Sequence, residues 1–256
     1  METIQILLCG CSGHMGHVVA DCAVARDDCT ICAGIDLTDT VGGAFPVFSR
    51  PEEVSCRADV IIDFSHPSVL SALLSYAMQN HLPVVLCSTG YSESQLQEIQ
   101  RASEQIPVFK SGNMSLGVNL LIELAKRAAA VLGEPFDIEI IEKHHNRKLD
   151  APSGTALMIA DGVSEVLPHE TTYTYDRHSR RMPRSKSEIG IHSVRGGTIV
   201  GEHEIIFAGP QETISITHTA QSREIFALGA VNAAVFMTGN QAPGLYNMTD
   251  LLKSMK

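Results

Sequence analysis

The sequence predicts an α/β fold in which an α+β domain is inserted into a domain built around a parallel sheet. Over the first 115 residues, short apolar runs alternate with stretches of helical periodicity. From residue 136 onward, runs typical of strands are separated by the turn pairs Gly196-Gly197 and Gly209-Pro210. A helical pattern at Phe226–Thr238 then indicates a return to the first domain. We therefore predict one domain at residues 1–115 plus 223–256, and the inserted domain at residues 116–222.

Five apolar runs predict the strands of the first domain, because each is short, continuous and followed by turn or helical residues. Helical periodicity follows the first run and recurs at Ser68–Asn80 and at Glu93–Ser103. Buried strands that alternate with helices are typical of a parallel sheet that is covered on both faces. The five runs are Ile4–Cys9, Thr30–Ile35, Ala58–Phe64, Pro83–Cys87 and Ile106–Phe109.

The inserted domain begins with a predicted helix at Leu116–Leu132, which repeats apolar residues at i, i+4 spacing. A second helix is predicted at Ala156–Leu167, shortly after Pro152. Four further runs predict a largely antiparallel sheet. These runs are Phe136–Glu142, Glu188–Arg195, Thr198–Phe207 and Glu212–Thr219.

The overall charge argues against nucleic acid as the main partner, because the chain has a formal net charge of −10. From Lys143 to Arg195, however, nine basic residues stand against six acidic ones, a net charge of +3. This reversal fits a pocket for an anionic small molecule, although a solvated basic loop at Arg177–Lys186 accounts for part of it. No apolar run reaches the roughly 20 residues of a membrane span, and no secretory signal is recognisable, so we expect no membrane partner.

All seven cysteines fall between Cys9 and Cys87, and most of them lie in or beside apolar runs. We expect buried free thiols, as in a protein of the reducing cytoplasm. The Cys29-x-x-Cys32 spacing also matches redox and zinc motifs, but no second pair of this kind accompanies it.

A glycine-rich turn, Gly10-Cys11-Ser12-Gly13-His14-Met15-Gly16, follows the first strand run and opens a helix. Glycines at such a turn let the backbone approach a pyrophosphate, which the N-terminus of the helix then binds. Asp36 ends the second run 20 residues beyond Gly16, where an acidic residue meets the ribose hydroxyls of a dinucleotide. The turn and the acid together predict a Rossmann-like nucleotide domain, whereas glycines alone would also serve a plain strand–helix turn.

NADH is the predicted cofactor, with NADPH as the alternative. A carboxylate at residue 36 repels the 2′-phosphate of NADPH, residue 37 is Leu, and the next Arg is Arg50. Two later turns, Cys87-Ser88-Thr89-Gly90 and Ser111-Gly112-Asn113-Met114, stand at the ends of strand runs, where open α/β sheets bind ligands. We predict that these turns surround the nicotinamide together with Gly10–Met15, although a loop role alone is the alternative for each.

The stretch before the second helix of the inserted domain concentrates reactive groups. Two imidazoles, an ammonium and a carboxylate precede the triplet Ser153-Gly154-Thr155, where that helix should begin. A proton-transfer group beside a cation and the N–H groups of a helix N-terminus predicts a site for a small carboxylate substrate. A metal site is the weaker alternative, because a lysine is adjacent and no His pair is spaced i, i+4. The four reactive side chains are His144, His145, Lys148 and Asp150.

Nearly from end to end, the chain resembles the 4-hydroxy-tetrahydrodipicolinate reductase family, also called the dihydrodipicolinate reductases. The most specific string is His-His-x-x-Lys-x-Asp-Ala-Pro-Ser-Gly-Thr, from His144 to Thr155. Further matches are the Gly10–Gly16 turn, Ser88-Thr89-Gly90, residues 113–119 and residues 189–203. The resemblance implies nicotinamide-dependent reduction of 4-hydroxy-tetrahydrodipicolinate, a cyclic dicarboxylate, to tetrahydrodipicolinate in lysine and diaminopimelate biosynthesis, usually by a homotetramer.

The resemblance also implies roles for single residues. His144 corresponds to the proton donor or acceptor, and Lys148 to a second proton donor that pairs with substrate. The implied substrate-binding residues are His145, Ser153, Gly154 and Thr155. The implied cofactor-binding residues are Gly10, Cys11, Ser12, Gly13, His14, Met15, Asp36, Cys87, Ser88, Thr89, Ser111, Gly112, Asn113 and Met114. Three departures from the family pattern concern the coenzyme: Cys87 replaces Gly, Asp36 replaces Glu and Leu37 replaces Arg.

Two other functions stay open on the residues alone. An amino-acid dehydrogenase with the same nucleotide domain would need no dicarboxylate-binding Ser-Gly-Thr turn. A non-catalytic NADH-binding sensor would lack the His or the Lys of the site and would usually carry a basic DNA-reading segment. The chain has the turn, the His and the Lys, so both functions are less favoured than the reductase.

Overall fold

The computed structural model describes residues 3–239 and 241–255. The chain divides into two compact units: the first is Met1–Ser115 with Glu224–Lys256, and the second is Leu116–Arg223. Helices and strands are numbered here along the whole chain. No helix in the described ranges is both long and apolar enough to cross a membrane.

The first unit contains a seven-stranded sheet in which all neighbouring strands are parallel. Its strands are β1 (Ile4–Cys9), β2 (Cys29–Ile35), β3 (Val47–Phe48), β4 (Val60–Asp63), β5 (Val84–Leu86), β6 (Pro107–Lys110) and β12 (Gly244–Tyr246). The strand order, β12-β6-β5-β4-β1-β2-β3, is that of a Rossmann fold with an additional edge strand. The predicted parallel α/β sheet is therefore confirmed. The edge strands β3 and β12 are two and three residues long, too short to give a pattern.

Helices cover the apolar strands of this sheet. They are α1 (His14–Val24), α2 (Leu70–Gln79), α3 (Glu93–Ser103), α6 (Glu224–Met237) and α7 (Met248–Ser254), with single 3₁₀ turns at Pro51–Glu53 and Pro67–Val69. Helix α6 packs on α1 and on strands β4, β5 and β6. Within this packing, Phe236 meets Phe109 edge-on, with ring centroids 6.4 Å apart. The last long helix thus completes the core of the first unit.

The second unit contains a five-stranded sheet covered by two helices, α4 (Leu116–Leu132) and α5 (Gly154–Ser164). Its strands are β7 (Asp137–His144), β8 (Thr172–Thr174), β9 (Glu188–Arg195), β10 (Gly201–Ala208) and β11 (Thr213–Ala220), in the order β11-β10-β7-β9-β8. The predicted largely antiparallel sheet is instead mixed: β10 pairs antiparallel with β7 and β11, whereas β9 pairs parallel with both β7 and β8. Helix α5 lies between β7 and β9 in the chain, and such a helical crossover lets β9 run parallel to β7.

Candidate active site

Two glycines shape the turn after β1. Gly10 has a φ of +76°, which other residues rarely adopt, and a Cβ there would lie 2.7 Å from the backbone of Phe64. A Cβ on Gly16 would lie 2.2 Å from the carbonyl oxygen of Gly10. The turn therefore lies directly against the loop after β4 and against helix α1, whose N-cap is Gly13.

Asp36 closes the glycine turn from the end of β2. Its Oδ2 accepts a hydrogen bond from the N–H of Ser12 at 3.0 Å, and its Oδ1 accepts one from the N–H of Leu37 at 2.8 Å. Each carboxylate oxygen has a second lone pair, so both oxygens can also accept hydrogen bonds from ribose hydroxyls. The structure thus brings the predicted acid and the predicted glycine turn together.

A cavity of about 980 Å³ opens beside Asp36. Its lining combines apolar side chains with three carboxylates and, among the described residues, one guanidinium. The charged lining residues are Asp36, Arg50, Glu52 and Glu53. From the sequence, Arg50 was judged too distant from Asp36 to bind the 2′-phosphate of NADPH. In the structure, β3 pairs parallel with β2 and brings the chain back to the same edge of the sheet, so Arg50 lines the cavity. The size and mixed lining of this cavity fit the adenosine half of a dinucleotide.

A second cavity, of about 230 Å³, lies where the three predicted turns meet. It is lined by Met15, Cys87, Thr89, Ser111, Gly112, Asn113 and Met114, together with Phe64 and Phe226. Strands β1 and β4 are neighbours whose following connections leave in opposite directions, and open α/β sheets bind ligands at such a point. The aromatic walls Phe64 and Phe226 were missed, because an isolated Phe in an apolar run has no distinguishing pattern. Both cavities and the glycine turn fit a nicotinamide dinucleotide.

Not every predicted cofactor residue directs its side chain into these cavities. Cys11 is buried beneath the turn, where a Cβ on Gly34 would lie 2.4 Å from the Cys11 Sγ. The hydroxyl of Ser88 donates a hydrogen bond to the carbonyl oxygen of Ser65 at 2.6 Å. His14 is exposed in the first turn of α1. We therefore expect Cys11 to contact a cofactor through its backbone.

In the second unit, His144 ends strand β7, and Glu142 lies two residues earlier on the same face of that strand. The Nδ1 of His144 and the Oε2 of Glu142 are 2.6 Å apart. Arg195 donates to both carboxylate oxygens at 2.7 Å, and the N–H of Ser153 donates to Oε1 at 3.1 Å. Burial of Glu142 raises its pKa, but hydrogen bonds from Arg195, Ser193 and His144 outweigh burial and hold the pKa at about 2.

The imidazoles of His144 and His203 lie next to each other, and both are mostly neutral at neutral pH. The pKa of His144 lies below its ordinary value, because burial and the charges of Lys148 and Arg195 outweigh the raising effect of Glu142. His203 packs edge-on against His144, with ring centroids 5.2 Å apart. Burial and the charge of His144 lower the pKa of His203 to about 4. Sequence reasoning treated Glu142 and His203 as structural strand residues, although the Glu-x-His spacing already put Glu142 and His144 on one face.

Helix α5 begins where the sequence predicted an anion site. The Oγ of Ser153 accepts a hydrogen bond from the N–H of Ala156 at 3.1 Å and lies 2.9 Å from Nε2 of His203. Ser153 is thus the N-cap of the helix and is engaged within the fold, so its contact with substrate stays a prediction. An added Cβ on Gly154 would meet nothing within 4 Å, which leaves the first turn of the helix open at that position.

Within the loop between β7 and α5, the side-chain carboxylate of Asp150 is bound by Lys148 and by backbone N–H groups. The Nζ of Lys148 and the Oδ1 of Asp150 are 2.9 Å apart. A hydrogen bond from Lys148, together with backbone N–H groups that include that of Gly154, lowers the pKa of Asp150. Arg195 fixes this loop by donating from Nη2 to the carbonyl oxygen of Asp150 at 2.6 Å. An ammonium and the start of a helix therefore share one anion-binding position.

His145 and Thr155 complete the predicted set. The Nδ1 of His145 is buried and has no hydrogen-bond partner among the described residues. Thr155 lies in the first turn of α5, next to Gly154. Within residues 3–239 and 241–255, no group of three or more His, Cys, Asp or Glu is arranged to hold a metal ion. The second unit thus combines a proton-transfer group with groups that bind carboxylates, while the first unit has the cavities for a dinucleotide.

Two family descriptions cover nearly the whole chain. Residues 4–114 match "Dihydrodipicolinate reductase, N-terminus", and residues 117–252 match "Dihydrodipicolinate reductase, C-terminus". The 4-hydroxy-tetrahydrodipicolinate reductase of Caldanaerobacter subterraneus subsp. tengcongensis is 53% identical over 250 residues, which covers 98% of each chain. That of Clostridium tetani is 49% identical over 251 residues, again covering 98% of each chain.

Solved structures agree with this match. A dihydrodipicolinate reductase from Paenisporosarcina sp. TG-14, described as bound to dipicolinate, has a TM-score of 0.81 at 26% identity, covering 96% of this chain and 98% of that one. A probable dehydrogenase from Thermotoga maritima has a TM-score of 0.65 at 11% identity, covering 98% and 93%, and shares the fold alone. The chain belongs to the dihydrodipicolinate reductase family.

Proposed function

We propose that this protein reduces 4-hydroxy-tetrahydrodipicolinate to tetrahydrodipicolinate, with NADH as the preferred cofactor. The family is one of NAD(P)H-dependent reductases of lysine and diaminopimelate biosynthesis. The observation that carries the proposal is the loop in which Lys148 and the start of α5 hold a carboxylate beside His144. A relative of similar structure is described as bound to dipicolinate, a planar cyclic dicarboxylate, which is the kind of ligand that such a loop suits.

Four groups of the second unit would bind the substrate carboxylates. The ammonium of Lys148 and the N–H groups of Gly154 and Thr155 take one carboxylate, in the way that Lys148 and Gly154 now hold Asp150. The buried Nδ1 of His145 offers a further hydrogen bond. A charge-assisted hydrogen bond contributes about 1.5–3 kcal/mol, so loss of Lys148 should weaken substrate binding about tenfold or more.

The proposed reaction replaces a ring hydroxyl with hydrogen, and so consumes one hydride and one proton and releases water. A bound nicotinamide supplies the hydride when the cofactor is present. His144 supplies or relays the proton through the ring nitrogen that does not contact Glu142. Lys148 acts as a second proton donor, and its positive charge stabilises negative charge that develops on the ring.

The preference for NADH rests on the charges around the large cavity. Asp36 would accept the ribose hydroxyls, and Glu52 and Glu53 add two further negative charges to the same lining. Among the described residues, one guanidinium, that of Arg50, stands against these three carboxylates, which gives their charged lining a net charge of −2. A negative cavity disfavours the additional phosphate of NADPH. A cytoplasmic location and a homotetramer, both implied by the family, stay predictions; light scattering on the purified protein tests the second.

The test is a coupled assay. The protein is mixed with pyruvate, aspartate semialdehyde and the upstream synthase, and cofactor oxidation is followed separately at equal NADH and NADPH concentrations. We expect oxidation that requires the synthase and is faster with NADH. Cofactor oxidation that is absent with both cofactors, or that is unchanged when the synthase is omitted, would overturn the proposed function. Faster oxidation of NADPH would overturn the coenzyme preference alone.

A further inference from the structure

The two ring nitrogens of His144 lie in different surroundings. Nδ1 contacts the carboxylate of Glu142 at 2.6 Å. Nε2 makes no hydrogen bond within the part of the chain that the structure describes. A Cβ added to Gly201 would lie 3.1 Å from Nε2. Because residue 201 is glycine, no Cβ at this position crowds Nε2.

Burial and hydrogen bonds fix the carboxylate of Glu142 in one position. It is fully buried, both of its oxygens accept hydrogen bonds from Arg195, and Oε1 also accepts one from the N–H of Ser153. Arg195 is itself fixed, because it donates to the carbonyl oxygens of Val194 and Asp150. A carboxylate with this set of donors is ionised at neutral pH, so it can only accept a hydrogen bond, which the N–H at Nδ1 of His144 donates.

We propose that Glu142, fixed by Arg195, is a positioning residue that keeps a hydrogen on Nδ1 of His144 and leaves Nε2, above Gly201, as the nitrogen that exchanges a proton with substrate. This inference rests on the proposed function, in which His144 is the proton-transfer group. A buried carboxylate that orients a catalytic imidazole is a recurrent arrangement in enzymes, and it fixes the tautomer and stabilises the imidazolium.

The charged groups around His144 set how its protonation responds to Glu142. From its own strand Glu142 favours the imidazolium, whereas Arg195 of β9 and Lys148 of the following loop disfavour it. Lys148 is partly offset by Asp150. His203 of β10 is neutral at neutral pH, and His218 of β11 pairs with His203 in the sheet. Glu142 is therefore the negative group in direct contact with the ring, and its removal should shift the titration of His144 to lower pH.

The first experiment measures kcat against pH for Glu142→Gln, with Glu139→Gln as the matched control. Glu139 lies on the same strand and also contacts an imidazole, that of His192, at 2.7 Å, but it is not part of the site. We expect kcat of Glu142→Gln to fall at least about tenfold, part of the roughly 10²-fold that a general acid or base contributes. We also expect the limb of the profile that reports His144 to move to lower pH. A profile that stays unchanged, or that changes equally in the control, would overturn the proposal.

A second pair of measurements covers the case in which Glu142→Gln does not fold. Neutron diffraction from the wild-type protein locates the hydrogen on His144 directly; we expect it on Nδ1, and a hydrogen on Nε2 alone at neutral pH would contradict the proposal. Gly201→Ala leaves Glu142 and Arg195 untouched and crowds Nε2 by a few tenths of an ångström. We expect this variant to bind NADH normally and to lose kcat, and an unchanged kcat would count against Nε2 as the reactive nitrogen.

These results separate the inference from the function on which it rests. If the wild type does not reduce the synthase product, the proposed function fails, whatever tautomer the neutron map shows. If the wild type is active and Glu142→Gln matches it across the pH range, the reductase function stands and the positioning role of Glu142 is lost.

Discussion

The buried carboxylate of Glu142 should stabilise the native state only while it is ionised. Its pKa is held at about 2 in the fold, against an ordinary value of 4.5. Between these values the native protein binds fewer protons than the unfolded chain, so the contribution of Glu142 is full above about pH 5 and is lost as the pH falls toward 2. Each tenfold difference in proton affinity corresponds to about 1.36 kcal/mol, which makes the whole contribution about 3 kcal/mol.

The assay is urea unfolding of the wild type and of Glu142→Gln at one protein concentration, between about pH 6 and about pH 3. The variant leaves Arg195 without its charged partner, which costs stability at every pH, but its residue 142 does not titrate. We therefore expect the wild type to lose about 2 kcal/mol more than the variant across this range. A difference in unfolding free energy that stays constant with pH would refute the reasoning, because Glu142 would then have the same proton affinity in both states.

Two further predictions concern the two units separately. His144→Gln should lower kcat about 10²-fold or more while the dissociation constant of NADH, measured by fluorescence titration, changes little; an unchanged kcat would remove His144 from proton transfer. Arg50→Met should lower kcat/KM for NADPH about tenfold more than for NADH, because Arg50 is the cation in the lining of the cavity beside Asp36. Arg57→Met, at an exposed residue that does not line this cavity, is the control, and equal losses with both cofactors would show that Arg50 does not contact the 2′-phosphate.

The strands and helices that could be predicted are those with enough residues to show a period. Two helices, Glu93–Ser103 and Leu116–Leu132, and the strands at Ile4–Cys9 and Glu188–Arg195 have the predicted bounds. Edge strands of two or three residues have no period to detect, and for that reason β3 was missed. Without β3, the place of Arg50 in the cavity lining could not be predicted, because the pairing of β3 with β2 brings Arg50 to the cavity.

The candidate site was predictable where its residues are neighbours in sequence. The loop from His144 to Thr155 carries imidazole, ammonium and helix N-terminus within twelve residues, so their association needs no knowledge of the fold. Glu142 is also close in sequence, but two other groups around His144 come from elsewhere: Arg195, which fixes Glu142, lies on β9, and Gly201 lies on β10. Their contacts depend on the register of a sheet whose parallel pairing was not predicted, and pairing and register are set by long-range packing rather than by local pattern.

The most direct test of the proposed function uses NADH that carries deuterium at both C4 positions of the nicotinamide. The wild-type protein receives this cofactor together with freshly formed product of the synthase, and the tetrahydrodipicolinate that results is examined by mass spectrometry. We expect one deuterium in each product molecule, because one hydride replaces the ring hydroxyl. Tetrahydrodipicolinate without deuterium, or cofactor oxidation without tetrahydrodipicolinate, would contradict the proposed reaction.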